Sequence, residues 1–308
     1  MEVALNPTPA ITVRTEHFPV AEDELLAVSQ RLVYCGKQKD VAEVKQWLRQ
    51  FDDDSRIEVA FLLLKRLAEQ GYMSEGARGR TLTVLEEALQ HRRTSIGSQA
   101  WKMVRGRKDN LCITFVDSET KSGASTAREL AKRVRPGKVA DGDSIDGWLR
   151  SHSEDDPLLL IVDDFAGTGT TLEKGLRRLL SVLSKSLAKD FIRQGRISCY
   201  CQFAFPEALD RLRAAYPELD IYAAHVFGDE VRSLDPQASV FTTNDERVYA
   251  RDILLQIGRG LTPQSPLGWQ DMGALVVFHN TIPNNTLPIF WSDGKVNDRL
   301  WKPLFPRA

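Results

Sequence analysis

Leu158-Leu159-Leu160-Ile161-Val162-Asp163-Asp164-Phe165-Ala166-Gly167-Thr168-Gly169-Thr170-Thr171 decides the fold of this chain. Five consecutive aliphatics read as a strand buried on both faces. Two acids close it, a Gly/Thr turn follows, and Leu172 to Leu180 spaces its leucines as a helix with one apolar face. Strand, acidic pair, Gly-containing turn and helix start build a cradle for a phosphorylated sugar. The turn amides and the first free N–H groups of the helix converge there, and the helix dipole favours negative charge. Gly167 and Gly169 let backbone come close, the hydroxyls of Thr168, Thr170 and Thr171 add donors, and the two carboxylates can accept from vicinal sugar hydroxyls. A Walker A loop is excluded because no Gly-Lys-Ser/Thr stands at the required spacing. A dinucleotide fingerprint is excluded because Gly-x-Gly-x-x-Gly is absent.

Working outward, the register from about residue 110 is strand–helix alternation. Strands are expected at 111–116, 158–162, 197–205, 221–227 and 274–279, and helices at 124–133, 172–180, 206–215 and 245–257. Such alternation implies an α/β fold, a mainly parallel twisted sheet with helices on both faces. Residues 1–20 read as extended because Pro7, Pro9 and Pro19 break helix. From 22 to 92 the period is helical, with Val41, Val44, Trp47, Leu48 and Phe51 on one face. The expected organisation is an N-terminal helical subdomain, 1–95, and an α/β domain, 96–308. The Gly- and Asp-rich stretch 135–157 reads as a mobile loop.

With 308 residues there is chain enough for a large core plus an appendage. A net charge of −1 argues against a strongly basic nucleic-acid binder and leaves a local basic patch open. No run of uncharged apolar residues is long enough for a membrane helix, and the first residues lack the basic start and apolar core of a signal peptide, so a cytoplasmic protein is expected. Cys112, Cys199 and Cys201 fall in strand-like apolar runs and read as core thiols. No second cysteine or histidine pair completes a Cys199-x-Cys201 metal site.

The 158–171 string resembles the phosphoribosyl-diphosphate (PRPP) loop of the type I phosphoribosyltransferases: hydrophobics, two acids, two mostly apolar residues, then Thr/Ser-Gly-x-Thr/Ser. The resemblance implies that Asp163 and Asp164 are the catalytic acids, holding the ribose 2- and 3-hydroxyls. It also implies that Phe165, Ala166, Gly167, Thr168, Gly169, Thr170 and Thr171 form the 5-phosphate loop. Gly167 departs from the pattern, standing where the family often has Thr, Ala or Ser. One unit earlier, the strand 111–116 runs into Asp117-Ser118-Glu119-Thr120-Lys121-Ser122-Gly123. This loop resembles the family's diphosphate loop, with Ser118, Lys121, Ser122 and Gly123 as binding residues. It also reads as an ordinary capped helix start. The segment between the two loops is similar to the family's flexible hood, in which Lys132, Arg133, Arg135 and Lys138 would reach diphosphate.

Asp229 and Glu230 follow the 221–227 strand and are candidates for the acceptor side, or simply a turn. In Pro283-Asn284-Asn285-Thr286, Asn284 and Asn285 beside Trp291 could read a base edge, or form an Asx-rich turn. The Trp47/Phe51 pattern, Leu267-Gly268-Trp269 and this turn together resemble the phosphoribosyltransferase-like proteins of bacterial conflict and antiphage systems, including retron-type operons. The resemblance implies transfer or cleavage of a ribosyl phosphate at its anomeric carbon. It implies PRPP or a nucleotide as ligand, Mg²⁺ held mainly through substrate, and a protein partner from the same defence operon. An oligomer and a nucleic-acid substrate both stay open. Two other classes are a regulatory module that senses PRPP or a nucleotide without chemistry, and a partner-docking protein with a vestigial site.

Overall fold

The computed structural model describes residues 18–97, 101–116, 118–141, 144–183 and 185–307. Most of the stretch 1–20, Asp117 and Gly142 therefore lie outside the described residues. Five parallel strands, β1 (Arg107–Phe115), β2 (Pro136–Ala140), β3 (Leu158–Ala166), β4 (Ile197–Ala204) and β5 (Asp220–Val226), lie in the order β2-β1-β3-β4-β5. A short strand, Met103–Val104, folds back antiparallel on the start of β1. The helices are α1 (Glu22–Ser29), α2 (Val41–Leu48), α3 (Asp54–Arg66), α4 (Glu75–Ser95), α5 (Ser122–Val134), α6 (Ile145–Ser151), α7 (Thr170–Val182), α8 (Lys185–Arg193), α9 (Pro206–Ala215) and α10 (Asn244–Leu261).

Strand alternation explains the uninterrupted apolar runs. Leu111, Ile113, Phe115, Leu158, Leu160 and Val162 pack against α4 and α5, while Cys112, Leu159, Ile161, Cys199 and Cys201 pack against α6, α7, α8 and α9. Both faces are covered, so both sets of side chains are apolar. From β1 the chain crosses to β2 on one side and then to β3 on the other. That reversal opens a crevice beyond the carboxyl ends of β1 and β3, where ligands bind in open α/β sheets.

The helices α1 to α3 do not make a core of their own. They share one with α10, with residues 267–305, and with Phe203, Phe205 and Phe227 around the ends of β4 and β5. Trp47 stacks on Phe290 at 5.2 Å and donates from Nε1 to the carbonyl of Ile289 at 3.1 Å. Tyr72–Met73 pairs in parallel with Val277–Phe278, and α4 lies on the sheet.

Two expectations are corrected. The stretch 135–157 is not a loop throughout: it contains β2 and α6. A Cβ on Gly137 would stand 2.7 Å from the Cα of Asp109, so this glycine lets β2 close on β1. The stretch 274–279 is buried but is no strand of the main sheet. Ala274 N–H goes to the carbonyl of Asn285 and Leu275 N–H to that of Val231, while Val277–Phe278 pairs with Tyr72–Met73, so its polar backbone is satisfied outside the main sheet.

Candidate functional site

β3 does not stop at its aliphatics. It continues through both acids to Ala166, with Asp163 opposite Cys201, Phe165 opposite Phe203 and Ala166 opposite Ala204. The acids are therefore fixed by a sheet ladder and not by a loop. Phe165 meets Phe205, Phe227 and Phe278 edge-on, at 5.9, 6.3 and 5.7 Å, which ties the end of β3 to the C-terminal segment.

The turn Gly167–Gly169 leads into α7, whose N-cap is Gly169 at φ +75° with no side-chain cap. This left-handed φ suits glycine, and a Cβ there would also lie 3.0 Å from the carbonyl oxygen of Ala208. The Thr168 and Thr170 hydroxyls lie 3.2 Å apart. Across the acids stands the start of α5, where Lys121 is the N-cap, also without a side-chain cap. Asp40, Asp53, Ser74 and Thr243 cap α2, α3, α4 and α10, while α1, α6 and α9 start without a side-chain cap away from the acids. Two helix starts with no side chain on their first N–H groups thus flank the acidic pair, an arrangement suited to two anionic groups on one ligand. Gly123 makes the approach of α5 feasible, because a Cβ there would stand 2.7 Å from Asp163 Oδ1.

Asp163 is buried, and its Oδ1 accepts the Asp164 N–H at 3.0 Å. Burial, and then the neighbouring Asp164 carboxylate, push the Asp163 carboxyl well above the usual carboxylate range. A protonated Asp163 donates as well as accepts, and the half-buried Asp164 carboxylate accepts.

These groups line a cleft of about 360 Å³. Its opposite wall is Trp269, Phe278 and the segment 281–285. Asn285 fills the space in front of Gly167: a Cβ on Gly167 would stand 2.7 Å from Asn285 Cγ and closer still to Oδ1. Asn285 is buried and donates from Nδ2 to the Trp269 carbonyl at 3.3 Å. The departure at Gly167 therefore has a local cause, an asparagine from the far end of the chain occupying the side-chain position. Gly268, at φ +88°, faces the backbone of Asn285 and would collide with it if it carried a Cβ.

Asp163, Asp164, most of the 165–171 turn, Ser122, Asn284 and Asn285 converge on the cleft. Ser118 and Lys121 are exposed and stand outside it, Ser118 contacting Thr120 Oγ1 at 3.2 Å. Asp229 and Glu230 are not brought to it. Glu230 accepts the Gly228 N–H at 3.1 Å and Asp229 lies 4.0 Å from Arg232, which is turn chemistry. Trp291 is also engaged elsewhere, with Nε1 on the Thr286 carbonyl at 2.9 Å and the Arg307 guanidinium 3.6 Å from its ring centre. Of the expected hood cations, Arg133 donates to Thr83 at 2.9 Å and Lys138 to the Ser144 carbonyl at 3.3 Å, while Lys132 and Arg135 lie at the other end of the sheet. Phe278, Thr281 and Ile282 also line the cleft, and no local pattern in the sequence marks them. Trp269 lines it too, and the glycine before it was a usable signal of close packing.

A family model described as PRTase-CE matches residues 44–307. No curated protein matches the chain. Among solved structures, the AQ2163 protein from Aquifex aeolicus is similar at 17% identity, covering 59% of this chain and 83% of its own, with a TM-score of 0.32. The TT1426 protein from Thermus thermophilus is similar at 15% identity, covering 55% of this chain and 93% of its own, with a TM-score of 0.28.

Proposed function

The chain belongs to the PRTase-CE family, a phosphoribosyltransferase-like family, and from that premise we propose that the cleft binds PRPP or a nucleotide and transfers or cleaves its ribosyl phosphate at the anomeric carbon. One observation carries the reading: two helix starts without side-chain caps flank a buried acidic pair at the β1/β3 reversal of the sheet. The 5-phosphate rests on the Gly167–Thr171 turn and the first N–H groups of α7. The ribose 2- and 3-hydroxyls meet Asp163 and Asp164. The second anionic group, diphosphate or its equivalent, lies toward Ser122 and the start of α5.

The chemistry asked of the protein is positioning and charge. The fixed Asp164 carboxylate beneath the ribose favours an oxocarbenium-like centre over the neutral ground state, Asp163 orients the hydroxyls, and helix-start amides stabilise departing negative charge. The wall formed by 281–285 and Trp269 limits water at that centre. Among the described residues no cluster of three metal-ligating side chains occurs, so a Mg²⁺ ion would be held by Asp164 together with ligand oxygens and water, a donor set that suits it. When bound, the ion supplies neutralisation of diphosphate charge.

The test is turnover. Incubation with PRPP or nucleotides and Mg²⁺ should release diphosphate or free base, and Asp164→Asn should abolish release. Saturable binding without release makes the cleft a sensing site instead. The defence role implied by the branch resemblance belongs to the same proposal, with the partner encoded beside it. Phage plating on cells carrying the operon with Asp163→Asn/Asp164→Asn should then lose protection.

A further inference from the structure

At the opposite end of the sheet, where β1 and β2 begin, lies an open groove of about 530 Å³. Arg105, Arg107, Arg128, Lys132 and Arg135 line it, and among the described residues no carboxylate does. Three separate elements bring these cations together. Arg105 sits in the Arg105–Gly106 hairpin turn, with φ +49° followed by +76°, and Arg107 starts β1. Arg128, Lys132 and Arg135 follow one another along one face of α5 and its C-cap, four and three residues apart. The ladder sets the juxtaposition: Lys108 stands opposite Pro136, and its N–H bonds the Arg135 carbonyl at 2.8 Å.

A helix C-terminus attracts cations, which accounts for Lys132 and Arg135 but not for a hairpin delivering two more. All five side chains are exposed. Among the described residues only Arg128 has a carboxylate partner, Glu119 at 3.7 Å. In a chain of net charge −1, so dense a patch, with Glu119 its one carboxylate partner among the described residues, is a local feature and not a reflection of overall basicity.

We propose that this groove binds the phosphodiester backbone of a nucleic acid, independently of the cleft at the other end of the sheet. Four of the five cations are arginines, whose planar fork matches phosphate oxygens. None is buried, so nothing gathers them around a single small anion, whereas a regular chain of phosphates neutralises them together. Among the described residues of the lining, Ala131, Pro136 and Val139 are the only apolar side chains, too few for the uncharged core that a protein–protein interface requires. Protein–nucleic acid interfaces are polar and strongly positive.

Fluorescence anisotropy with a labelled duplex and a labelled single strand tests this. Each neutralised phosphate contributes about −0.9 to the log–log salt slope on duplex, so five cations give about −4.5, or about 500-fold weaker binding between about 50 and 200 mM salt. The variant Arg105→Asn/Arg107→Gln keeps the fold, because Asn-Gly suits the hairpin turn, and circular dichroism checks that it does. Its slope should fall to about −2.7, a loss of about 40-fold over the same range, with weaker binding at low salt and PRPP binding unchanged. Absence of binding at low salt, or equal affinity and slope in the variant, overturns the proposal. So does binding of polyglutamate with no binding of nucleic acid, which assigns the groove to an acidic protein. Loss of PRPP binding in Asp164→Asn with nucleic-acid binding intact separates the two sites.

Discussion

Replacing Gly167 with alanine tests whether the C-terminal segment is built into the phosphate turn. The Gly167 φ is not left-handed, so the backbone tolerates the change and the cost comes from Asn285 alone. The new methyl would stand 2.7 Å from Asn285 Cγ and 3.1 Å from Nδ2, well inside contact distance. The Asn285 backbone cannot retreat: its carbonyl accepts the Ala274 N–H at 3.0 Å, and Gly268 lies against it. The side chain must rotate and lose its bond to the Trp269 carbonyl. A lost bond and a buried amide left without partner together cost about 2 kcal/mol. With an unfolding slope of about 3 kcal/mol/M, the urea midpoint falls by about 0.7 M. Asn285→Ala alone loses the bond but leaves no unpaired amide, about 1 kcal/mol. It also vacates the space, so the double variant should match Asn285→Ala and not the sum, a coupling of about 2 kcal/mol. A wild-type midpoint for Gly167→Ala, or additive losses in the double variant, would refute the argument.

Other outcomes follow from the same geometry. Gly169→Ala forces a β-carbon residue to φ +75° and against the Ala208 carbonyl, so it should cost at least about 1–2 kcal/mol in urea unfolding and weaken PRPP binding in calorimetry. Asp163 holds its proton to higher pH folded than unfolded, so its contribution to stability is lost as pH rises from the ordinary carboxylate range through the raised value. Asp163→Asn should therefore be more stable than wild type at pH 8, with the gap closing towards pH 4 in urea titrations at each pH, while ligand binding is lost. Cys35 is exposed, the other three cysteines are buried, and burial pushes the Cys112 thiol up to about 12. A thiol reagent at pH 8 should titrate Cys35 alone in the native protein and all four cysteines in denaturant; fast reaction of a second thiol would contradict the buried assignment.

The strand, acids and turn of 158–171 were legible because every signal is local: an aliphatic run, a glycine pair and a leucine period. The two-faced sheet was legible for the same reason. The β2 strand was not, since Pro136, Gly137 and Lys138 read as loop residues and pair only because Gly137 admits the Asp109 backbone. Asn285 was legible as an amide-rich turn but not as the residue facing Gly167, a contact set by tertiary packing across more than a hundred residues. Asp229 and Glu230 stood correctly after a strand, yet short-range bonds to Gly228 and Arg232 hold them away from the cleft. The hood cations could not be located without β2, whose pairing with β1 carries Arg135 to the opposite end of the sheet.

Calorimetric titration of PRPP with Mg²⁺ into wild type and into Asp164→Asn tests the central claim most directly. Saturable binding at one site is expected in wild type and its loss in a folded Asp164→Asn. Equal binding by both proteins, or none by folded wild type while a nucleotide panel is also refused, would contradict a ribosyl phosphate site at the end of β3.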